Sequence, residues 1–245
     1  MSDGVQPRRG GGALLDLEGT LREVKVAYMN MARGCVVTHE FLEWCARGGV
    51  GVAFVGECWV ERKGGRGTQS HADFVHLGSV SVASKVAGFV RQDLVDVCRL
   101  VECAFRFVCV EIGGVRVGVV YGKCSERVHD MERWLEGIRE VVAGGKWVLL
   151  GDWNVHHCAW SLDGKSGSSG RVLKGWLDER GARLVVEDGN TFERTQDCAS
   201  VASRIDFAVE GGGACLGPLD VVWGLSNHPA IGGVVGVVDV REAVD

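Results

Sequence analysis

Residues 147–160 read WVLLGDWNVHHCAW, and both the fold and the chemistry turn on how this stretch is read. Residues 147–150 are four apolar side chains in a row, the pattern of a short buried strand. The run stops at Gly151-Asp152-Trp153-Asn154. A carboxylate and an amide, separated by one residue, therefore fall where the chain leaves the sheet. Strand ends in layered α/β proteins are common places for chemistry, because the sheet fixes the backbone and the loop presents the side chains. An Asx-type turn, with Asp152 or Asn154 bonding its own backbone, accounts for the same sequence. The stretch alone leaves both readings open.

The segments before it supply context. VRVGVVY at 115–121 reads as a strand ending in Tyr121. Residues 126–143 carry Met131, Trp134, Leu135 and Ile138 at helical spacing, and Gly144-Gly145 closes that helix. Strand, helix and strand in succession predict an α/β layered fold. VSVASKVAGFV and CRLVECAFRFVCVEI, covering 80–90 and 98–112, each read as one strand, with Gly113-Gly114 as the hairpin turn that follows. Nearer the N-terminus, LREVKVAYMN at 21–30 alternates Val24, Val26 and Tyr28 against other residues and ends in Asn30. A helix over 38–47 follows, with Thr38 as its cap and Phe41, Leu42 and Cys45 on one face. GVGVAFV then forms a buried strand that runs into Gly56-Glu57-Cys58-Trp59.

The segments after it continue the alternation. A second helix passes through Leu173, Trp176 and Leu177, is capped by Gly181, and leads to a strand at 184–186. Thr191-Phe192 follows a turn. Ser203-Arg204-Ile205-Asp206-Phe207 opens another strand, with Asp206 facing away from its apolar neighbours. A strand at 221–225 ends in Ser226-Asn227-His228-Pro229, and residues 231–240 close the sheet.

Polar residues thus gather at strand ends: Asn30, Glu57, Tyr121, Asp152, Asn154, Thr191, Asp206 and His228. Singly, each has a bland account. Asn30 is equally a turn former, Glu57 equally a solvent-facing carboxylate, and Tyr121 equally a packing residue at the rim. A carboxylate that does enter the core needs a partner or a metal. The glycine-rich loop at 61–70, ERKGGRGTQS, suits either a phosphate backbone or plain solvation.

Composition sets the outer bounds. The chain has 245 residues, 46% of them hydrophobic, which is enough for a substantial core. Its formal charge of -5 argues against a protein that coats nucleic acid over its whole surface, and leaves binding to a local patch. It suits a carboxylate-rich metal site. None of the 10 cysteines lies in a C-x-x-C pair, so no zinc knuckle or redox motif is visible, and reduced thiols in an intracellular setting are expected. Neither the N-terminus nor any later stretch reads as a secretory signal or a membrane span. Residues 1–20 read as a flexible tail and residues 21–241 as one domain.

Taken in order, Asn30, GECW at Glu57, GDWN at Asp152, SRID at Asp206 and SNHP at His228 resemble the endonuclease/exonuclease/phosphatase family. That family includes apurinic endonucleases, DNase I-like nucleases and inositol phosphatases. GDWNVHHCAW, and NTF at Thr191 followed by SRIDF, are similar to the endonuclease domains of non-LTR retrotransposons. The resemblance implies a DNase I-like four-layered α/β sandwich, two packed mixed sheets with outer helices. It implies a metal-dependent endonuclease that nicks DNA by hydrolysing a phosphodiester bond. Glu57, with Asn30 close by, would hold Mg²⁺, for which Mn²⁺ would substitute. Asp152 would orient or deprotonate the attacking water, Asn154 would hold the phosphate and nucleophile, and Tyr121 would contact a phosphate oxygen. Asp206 would orient His228, which would stabilise charge on phosphorus. Thr191, Ser203 and Asn227 would contact substrate.

The residue types agree with that chemistry, which needs an activated water, neutralisation of phosphoryl charge and in-line geometry. Mg²⁺ takes oxygen ligands and keeps waters, so one or two carboxylates suffice. No histidine-cysteine set has zinc-site spacing, and His156 and His157 stand as the positions to test for one. One position departs from the family, whose last motif is usually Ser-Asp-His; here Asn227 stands in the middle. The amide keeps the shape and loses the charge, so weaker metal binding or a slower enzyme is expected. DNA is the expected partner and the nucleus the expected location, with a reverse transcriptase domain alongside if the chain is part of a polyprotein. A phosphatase or RNA-directed nuclease on the same fold, and a catalytically degenerate nucleic-acid-binding module, are the competing functions.

Overall fold

The apolar run at 147–150 is unbroken because its strand is covered on both faces, and its side chains divide between two cores. Val148 and Leu150 enter one hydrophobic cluster, whereas Trp147 and Leu149 enter another. Alternate side chains of a strand point to opposite faces, so only a strand with a layer on each side reads as continuously apolar. The computed structural model describes residues 13–15, 21–59, 70–78, 84–124, 126–161, 164–186, 191–196, 199–222 and 228–236.

The first half contains β1 (Ala13–Leu15), β2 (Leu21–Asn30), α1 (Cys35–Gly48), β3 (Val52–Gly56), β4 (Phe74–Leu77) and β5 (Val86–Arg91). A 3₁₀ helix, Gln92–Val97, leads to β6 (Cys98–Ala104), β7 (Phe107–Ile112) and β8 (Val115–Tyr121). Then come α2 (Val128–Val142), β9 (Lys146–Asp152), α3 (Ser168–Glu179) and β10 (Arg183–Val185). The remainder comprises β11 (Phe192–Gln196), β12 (Ala199–Ser203), β13 (Asp206–Gly211), β14 (Asp220–Val222) and β15 (Ala230–Gly236).

One mixed sheet runs β14-β15-β2-β3-β5-β4, with β1 also on β2, and the second runs β10-β13-β9-β8-β7-β6. The pairs β2/β3 and β8/β9 are parallel, and the other described pairs are antiparallel. β11 and β12 form a separate hairpin. Three apolar clusters define the layers. Val26, Tyr28 and Phe54 of the first sheet meet Val117, Val119, Val148 and Leu150 of the second. α1 covers the outer face of the first sheet through Phe41, Leu42 and Cys45, against Ala27, Met29 and Val55. On the far side, Met131, Leu135 and Ile138 of α2 and Leu173 and Leu177 of α3 cover Cys109, Leu149, Phe207 and Val209. Each helix is apolar at spacings of three and four, so one stripe suffices to seat it. This is the expected four-layered α/β sandwich.

Several local expectations need correction. Residues 98–112 are two strands, β6 and β7, because the chain reverses at Phe105-Arg106; no Gly, Pro or Asn marks that turn. Thr38 does not cap α1. It lies within the first turn, and its hydroxyl donates to the Gly34 carbonyl at 2.8 Å. β4 and the β11–β12 hairpin are too short or too polar to show a period. Ala13–Leu15, inside the expected tail, pairs with β2. Ser203 ends β12, and the next strand begins only at Asp206. The basic loop residues 61–69 and Asn227 lie outside the described residues. None of the described cysteines is in a disulfide. Among the described residues no helix is long and apolar enough to cross a membrane.

Candidate active site

Strand register builds the site. β8 lies parallel to β9 with Tyr121 opposite Asp152, and β13 lies antiparallel to β9 with Asp206 opposite Asp152. Three adjacent strands therefore set Tyr121, Asp152 and Asp206 in one row across the end of the second sheet. On the facing sheet, β2 and β3 run parallel with Asn30 opposite Gly56, and Glu57 follows directly. His228 precedes β15, whose antiparallel pairing with β2 brings its first residues to the same end. Asp206 and His228 thus stand at strand starts, not at C-terminal ends. Antiparallel pairing places those starts beside the ends of their neighbours.

Side-chain contacts bind the row to the other sheet. Asn30 donates through Nδ2 to Asp152 Oδ2 at 3.1 Å, while its Oδ1 accepts the Ala32 amide at 3.0 Å. Asp152 Oδ1 accepts the Asn154 amide at 3.0 Å. Both side chains make the Asx-type turn and a contact across the site with separate atoms, so the two readings of the opening stretch hold together. Asn154, at φ +51°, donates to the Gly122 carbonyl at 3.0 Å and accepts from the Cys124 thiol at 3.0 Å. Tyr121 donates its hydroxyl to Glu57 Oε1 at 2.8 Å, and Glu57 is itself at φ +42°. His228 Nδ1 lies 2.8 Å from Asp206 Oδ2, with both side chains buried. A proton on Nδ1 leaves Nε2 as the ring's other functional atom.

Electrostatics follow from burial. Asp152 and Asp206 are 2% and 1% exposed. Loss of water raises the Asp152 pKa well above the usual carboxylate range, and the Asp206 charge raises it further; His228 and the Asn30 hydrogen bond oppose this. Asp206 is also raised by burial, with His228 pulling the other way. For His228 burial alone would favour the neutral ring, but the Asp206 hydrogen bond and the charges of Asp206, Asp152 and Glu57 overcome it, and its pKa is raised. Tyr121 is raised by burial and by its bond to Glu57, so it is a neutral donor.

Two carboxylates facing each other in a dry site ionise together only with positive charge beside them; without it one of them holds a proton. Asp152, Asp206 and His228 bring their ligand atoms within 4.8 Å of one another, and this cluster is able to hold a metal ion. The oxygen-rich set, with Glu57 at its margin, suits a hard divalent cation. Asn30 is placed differently from a ligand: its oxygen is bonded to the backbone and its amide group holds Asp152. Thr191, expected to touch substrate, is 4% exposed and accepts the Ile205 and Asp206 amides at 3.0 and 2.8 Å. It fixes the backbone that carries Asp206. Ser203 is placed only by its pairing with Phe192 at the hairpin end. His157 Nδ1 accepts the Ala159 amide and its ring packs on Trp160, so it serves the loop.

Three contributors escape a reading of the sequence. Gly122 donates its amide to the Asp152 carbonyl at 2.7 Å, and a Cβ there would lie 2.0 Å from the Trp153 carbonyl oxygen. Tyr28 is wholly buried between the sheets. Its hydroxyl occupies the space where a Gly56 Cβ would come within 2.4 Å, and burial, then the Asp206 and Asp152 charges, keep it protonated. Cys124 touches Asn154. Gly after Tyr121 and Gly before Glu57 are the faint signals, since a glycine at a strand end marks close approach.

Residues 115–231, which carry Tyr121, Asp152, Asn154, Asp206 and His228, match the family described as endonuclease-reverse transcriptase. The structure is similar to the endonuclease domain of TRAS1, a telomere-specific non-LTR retrotransposon, with a TM-score of 0.68 and 21% identity over 87% of this chain and 97% of that one. It is also similar to D. rerio TDP2 complexed with single strand DNA product, with a TM-score of 0.63 and 10% identity over 88% and 99%. No curated protein sequence matches the chain. These likenesses to solved structures show a DNase I-like α/β sandwich fold. The GDWN and SRIDF motifs, on which the resemblance to non-LTR retrotransposon endonucleases rests, both lie within the matched segment 115–231.

Proposed function

We propose that the protein is a metal-dependent endonuclease that nicks DNA by hydrolysing a phosphodiester bond. The observation that carries this reading is the row of Tyr121, Asp152 and Asp206 closed by the buried Asp206–His228 pair at 2.8 Å. Asp152, steadied by Asn30 and the Asn154 amide, accepts a proton from the water that attacks phosphorus. Asn154 keeps one amide hydrogen for the phosphate, the other being given to Gly122. The protonated His228 ring, oriented by Asp206, offers Nε2–H to the charge that builds on the phosphoryl oxygens. Tyr121, held neutral, adds a hydroxyl at the same end, and Glu57 fixes its position. A divalent cation, Mg²⁺ or Mn²⁺, held by Asp152 and Asp206 with Glu57 nearby, supplies Lewis-acid neutralisation when bound. The P–O bond to the leaving sugar oxygen then breaks with its electron pair going to that oxygen, which takes a proton from solvent, giving one free hydroxyl and one terminal phosphate.

The ionisation state fits these roles. An Asp152 raised by burial and by Asp206 is a base only when positive charge stands beside it, which His228 or the cation provides. The test is a nicking assay on supercoiled plasmid with Mg²⁺, comparing the protein with Asp152→Ala and Asn227→Asp. Nicking that Asp152→Ala abolishes and Asn227→Asp accelerates is the expected result. Nicking only by Asn227→Asp assigns the natural chain to a degenerate binding module. Release of phosphate from small esters without nicking assigns it to the phosphatases of the fold.

A further inference from the structure

A cavity of about 750 Å³ opens beside the active site, and none of the roles above uses it. Its walls include Lys85, Phe105, Arg106, Tyr121, Lys123 and Trp134. Two contacts join it to the catalytic row. Tyr121 lines the cavity and donates to Glu57, and Cys124 lines it and touches Asn154.

Its chemistry differs from that of the chain as a whole. The protein carries a net charge of -5, yet cationic side chains outnumber carboxylates around this cavity. Several of those cations are already engaged. Arg106 makes a bidentate pair with Glu126 at 2.6 and 2.7 Å and lies 4.8 Å from the centre of the Trp134 ring. Arg127 pairs with Asp130, and Arg133 contacts His129. Lys85 and Lys123 make no ion pair with a described carboxylate, and they flank Tyr121; the Lys85 ammonium lies 5.9 Å from that ring. Phe105, at the β6–β7 turn, is 49% exposed and presents an aromatic ring to the cavity. The Lys85 amide donates to the Phe105 carbonyl at 2.8 Å, so the two residues are backbone neighbours in the cavity wall.

We propose that this cavity is a nucleotide subsite, taking one unpaired nucleotide of the substrate strand with its base stacked on Phe105 and its phosphate held by Lys85 and Lys123. This inference rests on the endonuclease reading and deepens it. An exposed aromatic face beside uncommitted lysines recognises single-stranded nucleic acid, because every unstacked base offers a π-face and every link a phosphate. A base within a duplex offers no free face, so the subsite favours a single strand or an extruded nucleotide. The volume lies in the range of small-ligand sites and holds one nucleotide, not a double helix.

The test is anisotropy of a short fluorescein-labelled oligothymidylate in the presence of chelator, which prevents cleavage, with plasmid nicking in Mg²⁺ run in parallel. Phe105→Ala is expected to weaken oligothymidylate binding on the order of 5- to 100-fold, and Phe105→Tyr to stay within about twofold. Lys85→Ala and Lys123→Ala each reduce the salt slope of binding by about 0.7. Absence of binding by the natural protein, or equal binding by Phe105→Ala, overturns the subsite. Nicking with Phe105-independent binding leaves the endonuclease reading intact and removes only this inference. Phe105-dependent binding without nicking does the reverse. Unchanged thermal melting of Phe105→Ala excludes misfolding as the cause of lost binding.

Discussion

Replacing Gly122 by Ala tests whether the catalytic geometry depends on a backbone pinch that no side chain announces. β8 and β9 end side by side, and Gly122 is the first residue past the last paired row. An added Cβ would sit 2.0 Å from the Trp153 carbonyl oxygen, 2.5 Å from its carbon and 3.1 Å from its Cα. Real Cβ contacts stay beyond about 3.0 Å, so one of the two backbones has to retreat by about 1 Å. Neither can move alone. The Gly122 amide bonds the Asp152 carbonyl, and the Gly122 carbonyl accepts from Asn154. Losing or stretching both hydrogen bonds costs about 1–3 kcal/mol at the usual net value per bond. For a domain of this size that lowers Tm by roughly 2–12 °C. A shift of about 1 Å at Asp152 and Asn154 costs on the order of 100-fold in rate. Nicking of supercoiled plasmid and thermal melting by circular dichroism measure the two effects. A Gly122→Ala protein that melts and nicks like its parent refutes the argument, because the pinch would then be slack.

Glycines without neighbours behave oppositely. Gly137 in α2 and Gly175 in α3 are exposed, and a Cβ at either meets nothing within 4 Å. Gly137→Ala should stabilise the protein by about 0.5–1 kcal/mol, seen as a higher denaturant midpoint with unchanged m-value. Asp206→Asn should lower the His228 pKa, since burial then acts with less opposition; an NMR titration of the ring reads this, and an unchanged titration would mean that Asp206 does not govern the ring. His76 is held neutral by burial, so its pKa is lowered in the folded state. Between that lowered value and the unfolded value near 6.5, the unfolded chain binds more protons, so stability falls as pH falls through this window. His76→Phe should flatten the decline, measured as Tm against pH. Trp153 is fully buried and stacked on Phe207 at 5.5 Å; Trp153→Ala should cost about 3–5 kcal/mol and show as a large fall in Tm.

The layered class was legible because periodicity reports burial directly. Met131, Leu135 and Ile138 needed only one helical stripe, and residues 147–150 needed cover on both faces, so α/β layering follows from one chain read locally. The turn at Phe105-Arg106 was not legible, since two apolar strands joined by an aromatic and an arginine have the same period as one long strand. Side-chain chemistry was legible as a set: Glu57, Tyr121, Asp152, Asn154, Asp206 and His228 do converge on one end of the sandwich. Their division of labour belongs to tertiary structure. Thr191 looks like a substrate contact in sequence and is a backbone anchor in space, because only folding shows that its oxygen is already used. Asn30 holds Asp152 through a bond that spans 122 residues, and Tyr28 and Gly56 share one pocket between the sheets. Sequence by itself determined which residues carry charge, protons and apolar area, since those are properties of single side chains and of local spacing. Strand register and sheet-on-sheet packing alone decided which atoms face each other at about 3 Å, and at that distance burial and neighbouring charge set the acid–base state of Asp152, Asp206 and His228.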